Sequence, residues 1–242
     1  MSTARSRLAV ALDLPDRESI LAAVRDLAPE VGVFKLGLEA FVSQGPGLVR
    51  EIAAAGRVFL DLKLHDIPNT VGRAAAAAVA TGASIVNCHA SGGREMMRAF
   101  GEEGRNAAAK AGLPRPSLIA VTVLTSLDDA ALGAVGLAGS PREAAVRLAV
   151  LAKGSDLDGV VCSPEEIGAI RAACGRDFLL VVPGVRPAGT DKGDQKRVAS
   201  PGDALAAGAD LLVVGRPILA APDRVAAARA IVAEMAAALL GL

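Results

Sequence analysis

The sequence predicts a closed (β/α)8 barrel of the TIM type, one α/β domain over residues 1–242, and three observations carry that expectation. Eight short runs rich in Val, Ile and Leu recur along the chain, each followed by a stretch of helical character, many of them rich in Ala. The length, 242 residues, is close to the roughly 250 that eight such units need. Helix-start and helix-stop residues stand at the joints between the runs. An open, doubly wound sheet would carry a Gly-rich turn after its first strand, where this chain has Asp13-Leu14-Pro15-Asp16.

Taken in order, the strands are expected over Arg7 to Asp13, Val33 to Leu38, Val58 to His65, Ser84 to Ala90, Ser117 to Leu124, Gly159 to Cys162, Phe178 to Val182 and Leu211 to Gly215. The helices between them are expected over Asp16 to Ala28, Glu39 to Ala55, Thr70 to Thr81, Gly93 to Ala111, Pro141 to Lys153, Pro164 to Ala173, Pro201 to Ala207 and Pro222 to Leu240. Ser140-Pro141-Arg142-Glu143 and Ser163-Pro164-Glu165-Glu166 each place Ser at an N-cap, Pro at the first helical position and Glu three residues after the cap, the pattern of a capping box. Ser200-Pro201-Gly202-Asp203 is a variant with Asp at the third position. Gly56, Gly82 and Gly208 each precede a strand, where a left-handed residue is expected to close the last helical turn.

Composition narrows the function classes. The chain is 52% hydrophobic and 21% charged, so it is globular rather than disordered. Lys plus Arg equals Asp plus Glu at 26 each, so no overall field recruits nucleic acid or an anionic membrane, and an anionic ligand has to be caught locally. Runs such as Leu118 to Leu124 fall short of a membrane span, and Met1-Ser2-Thr3-Ala4-Arg5 has no apolar signal core, so a cytoplasmic protein is expected. Cys88, Cys162 and Cys174 are odd in number, widely spaced and without a CxxC pair; they are expected to be reduced residues in or near the core, not a disulfide frame or zinc site.

The chemistry concentrates in Val58 to Thr70. As a strand, this segment sends Leu60, Leu62 and Leu64 to one face and Asp61, Lys63 and His65 to the other, with Asp66 just past the end. An exposed edge strand would leave those charges solvated, but three leucines on the opposite face and a place among apolar runs favour an inner strand. Buried ions cost several kcal/mol each unless paired, so partners are required. The first strand supplies Asp13 on the same inward parity and the second supplies Lys35, so Asp13, Lys35, Asp61 and Lys63 converge as two acids and two amines at the carboxyl ends of three adjacent strands. Opposite them, Pro183-Gly184-Val185-Arg186-Pro187, the polar stretch through Gly189, Asp191-Lys192-Gly193-Asp194 and Gln195, and Val214-Gly215-Arg216-Pro217 follow strands seven and eight, where barrels commonly hold phosphate; two arginines and glycine-freed amides suit a dianion. His65 and His89, the only histidines, are too few for a zinc hydrolase and are expected to make hydrogen bonds. Ser126 has no evident His-Asp relay, and Met96-Met97 is expected to be packing.

Ala11-Leu12-Asp13, Phe34-Lys35-Leu36-Gly37, Asp61 to Thr70, His89-Ala90-Ser91-Gly92-Gly93, Val121 to Ser126, Pro183 to Arg186, Gly193-Asp194-Gln195 and Val214 to Ile218 resemble, in order, the motifs of the orotidine 5′-phosphate decarboxylase family. The resemblance spans nearly the whole chain, and the decapeptide Asp61-Leu62-Lys63-Leu64-His65-Asp66-Ile67-Pro68-Asn69-Thr70 is its most specific part. It implies decarboxylation of orotidine 5′-monophosphate to UMP, the last step of pyrimidine biosynthesis, without cofactor or metal, in a homodimer with shared sites. By the same likeness Lys63, Asp61, Lys35 and Asp66 are the catalytic residues, with Lys63 protonating the C6 carbanion. Asp13 and Lys35 hold ribose hydroxyls, Thr125 lies near the pyrimidine, and Arg186, Gln195, Gly215 and Arg216 bind phosphate. Asp66, Ile67 and Thr70 cross to the neighbouring subunit's site. The rival reading is a magnesium-dependent sugar-phosphate enzyme of related barrels, the keto-gulonate-phosphate decarboxylases and hexulose-phosphate synthases, which share DxKxxD but carry an acidic metal ligand where this chain has Lys35. A Schiff-base aldolase using Lys63 as nucleophile and a catalytically silent phosphate-binding barrel are the remaining alternatives.

Overall fold

The computed structural model describes residues 3–186 and 199–241, and these form a closed barrel of eight parallel strands in sequence order. The strands are β1 (Leu8–Ala11), β2 (Val33–Leu36), β3 (Arg57–Leu64), β4 (Ile85–His89), β5 (Ser117–Val121), β6 (Gly159–Val161), β7 (Leu179–Val182) and β8 (Leu211–Val214). The ring shuts where Leu8 and Val10 of β1 pair with Leu212 and Val214 of β8. Except for β3, which keeps its length but begins and ends one residue earlier, each strand is shorter than its apolar run, mostly at the carboxyl end, where the chain leaves the ladder to form the mouth.

Period-two alternation builds two cores. Ala9, Ala11, Val33, Phe59, Ile85, Ile119, Val181, Leu211 and Val213 fill the barrel interior. Their neighbours of opposite parity, among them Leu8, Val10, Phe34, Leu36, Val58, Leu60 and Val86, lie beneath the surrounding helices. Those helices are α1 (Arg17–Leu27), α2 (Leu38–Ala55), α3 (Pro68–Val79), α4 (Gly93–Ala111), α5 (Asp129–Ala134), α6 (Pro141–Lys153), α7 (Ile167–Cys174), α8 (Pro201–Ala206), α9 (Arg216–Leu219) and α10 (Arg224–Leu240). Two of them, α5 and α9, are short additions at the mouth that no strong periodicity announces. Met96 and Met97 of α4 are buried packing residues, as expected, and Cys88, Cys162 and Cys174 are buried without a disulfide.

The caps largely follow the sequence. Ser140 and Glu143 make the reciprocal capping box, and Ser200 accepts the Asp203 N–H at 3.1 Å. At Ser163 the N–H donates to Glu166 Oε2 at 2.8 Å, but the first turn, Pro164–Glu166, is 3-10 before α7 begins. Gly82 and Gly208 are left-handed as expected, with φ of 90° and 107°. Gly56 is not: its φ of 176° is extended, and its lack of a side chain instead makes room for the Phe34 ring, 3.0 Å from where a Cβ would stand.

Gly159 has a tighter reason to be glycine. It pairs with Leu179 across β6 and β7, and a Cβ there would overlap the Leu179 carbonyl and lie 2.5 Å from the Leu179 Cβ. Because that neighbour is backbone, relief requires parting two staves of the barrel. Gly159→Ala is expected to cost about 3 kcal/mol, lowering the melting temperature by about 10 °C; a scan showing no loss would mean the β6–β7 spacing is looser than described.

Candidate active site

The inward parity continues past the apolar layer into charge. After Ala9 and Ala11 comes Asp13, after Val33 comes Lys35, and after Phe59 come Asp61 and Lys63. All four line one cavity of about 530 Å³ at the carboxyl ends of the strands. They alternate in sign. Asp13 Oδ1 is 3.4 Å from Lys35 Nζ, Lys35 Nζ is 3.5 Å from Asp61 Oδ2, and Asp61 Oδ1 accepts from Lys63 Nζ at 2.7 Å.

Strand β3 does not run straight through this group. Phe59 and Leu60 pair with Ile85 and Val86, but the next partner of Cys88 is Leu64, so β3 carries extra residues across from Asn87. Lys63 sits in that bulge with φ at 52°, a left-handed conformation costly for a residue with a Cβ. Its N–H donates to Asn87 Oδ1 at 2.8 Å, and Asn87 Nδ2 donates to Asp61 Oδ1 at 2.7 Å. Leu60, Leu62 and Leu64 do pack towards the helices as the alternation requires. The bulge keeps both Asp61 and Lys63 on the cavity.

Asp61 is the buried member, 8% exposed. Burial pushes its carboxyl towards the neutral form, but Lys35 and Lys63, with the hydrogen bonds from Lys63 and Asn87, outweigh it and hold the pKa below the ordinary 3.8. The folded chain therefore keeps Asp61 ionised. Its contribution to stability is present above the unfolded carboxylate range and is lost only as pH falls through the lower folded value.

The rest of the wall adds Val121 at the end of β5 with Val123, Leu124 and Thr125 after it, Val161 and Cys162 at β6, Pro183 to Arg186 after β7, and Gly215 to Pro217 after β8, so that two guanidinium-bearing residues stand among apolar side chains and backbone. Thr125, Arg186, Gly215 and Arg216 are thus brought together with the acid–amine row. Gly184 is left-handed, φ 79°, which only glycine adopts cheaply where the chain turns under the mouth. A Cβ on Gly215 would stand 3.4 Å from the Ala11 Cβ, so the β8 loop lies close against β1. Gln195, with the polar stretch from Pro187, lies outside the described residues.

Asp66, Ile67 and Thr70 are not brought into this cavity. They stand exposed at the start of α3, with Ile67 65% exposed and its N–H donating to Asp66 Oδ1 at 2.6 Å. His65 departs from the inward parity expected of it: β3 ends at Leu64, and the His65 ring lies against His89 with centroids 5.4 Å apart instead of facing the cavity. Burial first, then the nearby His65 and Lys63, lower the His89 pKa from its ordinary 6.5 despite Asp61. The folded chain thus resists a proton that the unfolded chain accepts, and stability falls as pH drops below about 6.5. His89→Gln is expected to flatten the urea midpoint between about pH 7 and about pH 5; an unchanged slope would remove His89 from the acid response.

Asn87 is the residue that sequence reasoning missed. It is fully buried and touches both Asp61 and Lys63. The signal was present: an amide on the inward parity of an otherwise apolar strand, which burial obliges to find partners.

Comparison with known proteins agrees with this geometry. A sequence model of the orotidine 5′-phosphate decarboxylase / HUMPS family matches residues 6–231. The chain is 57% identical over 230 residues to orotidine 5′-phosphate decarboxylase of Anaeromyxobacter sp. (strain K), covering 95% of this chain and 98% of that one. It is 53% identical to the enzyme of the same name from Moorella thermoacetica, covering 96% and 93%. The crystal structure of orotidine 5′-phosphate decarboxylase from Lactobacillus acidophilus superposes with a TM-score of 0.83 at 37% identity, covering 94% of this chain and 98% of that one. With a matching family model, relatives above half identity and the same closed barrel, the chain belongs to the orotidine 5′-phosphate decarboxylase / HUMPS family.

Proposed function

We propose that this chain decarboxylates orotidine 5′-phosphate to UMP using its own side chains alone. The observation that carries the reading is the alternating row Asp13, Lys35, Asp61 and Lys63 in a cavity that Arg186 and Arg216 also line. The relatives at 57% and 53% identity, both named for this activity, support it. Within the family, a divalent-metal sugar-phosphate chemistry fits poorly: the Lys35 ammonium lies 3.5 Å from Asp61 and repels a cation from that carboxylate.

The phosphate is gripped by Arg186, Arg216, the Gly215 backbone and Gln195, and the ribose hydroxyls by Asp13 and Lys35. Thr125 lies near the pyrimidine. The substrate carboxylate then lies beside Asp61, with like-charge repulsion on the order of 4 kcal/mol at ~4 Å in an effective dielectric of about 20. The C6–carboxylate bond breaks, carbon dioxide leaves, and the electron pair stays in the ring plane at C6, where no π-system accepts it. The Lys63 ammonium stabilises that developing charge and donates its proton to C6, giving UMP and a neutral amine that solvent reprotonates. Asp61 lies within ion-pair distance of both lysines and holds them in place, so preorganised charge is the larger contribution.

The test is carbon dioxide release from orotidine 5′-phosphate with and without EDTA. Full activity in chelator is expected; loss of activity there, or trapping of a substrate adduct on Lys63 by borohydride, would overturn this mechanism.

The same reading makes the active unit a homodimer, with Asp66, Ile67 and Thr70 reaching the partner's cavity. Their exposure, and the apolar Ile67 among them, suits a covered surface. Mixing inactive Lys63→Ala with inactive Asp66→Ala is expected to restore activity, approaching one intact site per mixed dimer. No recovery after subunit exchange would refute sharing.

A further inference from the structure

Among the described residues, Asn87 is the one buried polar side chain that contacts two members of the acid–amine row while standing outside it. Its amide is used in both senses: the carbonyl accepts the Lys63 N–H at 2.8 Å and the NH2 donates to Asp61 Oδ1 at 2.7 Å. Asp61 Oδ1 also accepts from Lys63 Nζ, so one amide closes a ring through the Asp61 carboxylate, the Lys63 side chain and the Lys63 backbone. That backbone holds the left-handed φ of 52° and lies where β3 slips against β4. A left-handed non-glycine residue persists only where its surroundings over-determine it, and the described N–H partner of Lys63 is this amide.

Resting on the decarboxylase reading above, we infer that Asn87 is a positioning residue for the reaction, fixing the bulge that aims the Lys63 ammonium and holding the Asp61 carboxylate against it. The requirement is for a neutral group that accepts on one side and donates on the other. Leucine matches the volume and does neither. Aspartate matches the shape, but as a carboxylate it accepts on both sides and sets a second negative charge against Asp61; as a neutral acid its O–H donates where the amide did. Asn87→Asp is therefore expected to work only when it carries a proton.

The groups that set that proton are Asp61 and Lys63 on β3, Lys35 on β2, Asp13 beyond β1, and His89 two residues along β4 with His65 against it. The inner face of β5 offers Ile119 and Val121, which carry no charge. Two carboxyls at hydrogen-bond distance share one proton at a raised pKa, although both lysines oppose the rise.

The experiment measures kcat and KM for carbon dioxide release by wild type, Asn87→Leu and Asn87→Asp between pH 5 and 8, and separately titrates the Asp61 carboxyl of each by carbon-13 NMR down through the acid range below the ordinary carboxylate value of 3.8. Asn87→Leu is expected to lose about 100-fold in kcat with KM within about threefold, and to titrate Asp61 at higher pH than wild type. The ratio of Asn87→Asp to wild-type kcat is expected to climb about tenfold per unit of falling pH until the shared proton is bound. A pH-independent ratio for Asn87→Asp, or an unmoved Asp61 titration in Asn87→Leu, overturns the positioning role. Should Asn87→Leu not fold, the Asn87→Asp profile decides. If wild type itself releases no carbon dioxide, the functional reading falls, and the Asp61 titration still decides whether Asn87 holds that carboxylate.

Discussion

Lys63→Ala is expected to lower kcat by about 10⁴-fold or more while leaving the fold and UMP binding largely intact. Two contributions are removed together. General-acid transfer is worth about 10² to 10⁴, and a preorganised charge at a developing anion about 10² to 10³. They share one ammonium, so their product is an upper range, not a sum of independent steps. The fold should survive for three reasons. Lys63 is only partly buried, with its side chain 30% exposed, so its pair with Asp61 is partly screened. Lys35 still faces Asp61 at 3.5 Å after the truncation, so the buried carboxylate is not left alone. Alanine meets the left-handed backbone at 52° with the same Cβ penalty as lysine, and the Asn87 hydrogen bond to the backbone N–H is untouched. Circular dichroism and a UMP titration check both points. A residual kcat within tenfold of wild type would show that the proton and the charge stabilisation come from elsewhere.

The sequence made the barrel and the whole row legible because both rest on one regularity, the alternation of side chains across a strand. That period placed Asp13, Lys35, Asp61 and Lys63 on the interior side, and the structure brings all four to one cavity. It failed where the backbone stops being periodic. Straight alternation carried through His65, whereas the strand slips at the bulge, ends at Leu64 and turns His65 onto His89. A left-handed bulge residue is usually glycine, but here it is a lysine, so composition gave no warning. Asn87 was passed over because a single amide in Ile85-Val86-Asn87-Cys88-His89 reads as an interruption of a strand until its two partners are seen. The sequence assigns Val121, Val123, Leu124 and Val161 no separate place in a cavity and expects Cys162 in or near the core, since nothing in an apolar residue distinguishes facing a cavity from facing a neighbour.

Just beyond β8, Arg216→Ala is expected to lower kcat/KM by about 10² to 10⁴, mostly through KM. Charge-assisted contacts from a guanidinium to a dianion are worth about 3 to 5 kcal/mol when one partner is removed. Arg216 opens α9 directly after Gly215, which lies against β1 at Ala11, so the guanidinium is borne by a segment anchored to the barrel wall. The phosphate is remote from the bond that breaks, and its binding energy reaches the reacting carbon only by seating the ring against Asp61 and Lys63. The two substitutions should therefore separate cleanly. UMP affinity falls in Arg216→Ala and holds in Lys63→Ala, whereas single-turnover decarboxylation at saturating substrate collapses in Lys63→Ala and falls far less in Arg216→Ala. Because the two residues serve opposite ends of one ligand, their effects on UMP binding are expected to add within about 0.5 kcal/mol. Equal loss of UMP affinity in both variants would place the phosphate beside Lys63 and overturn the orientation of the substrate in the barrel.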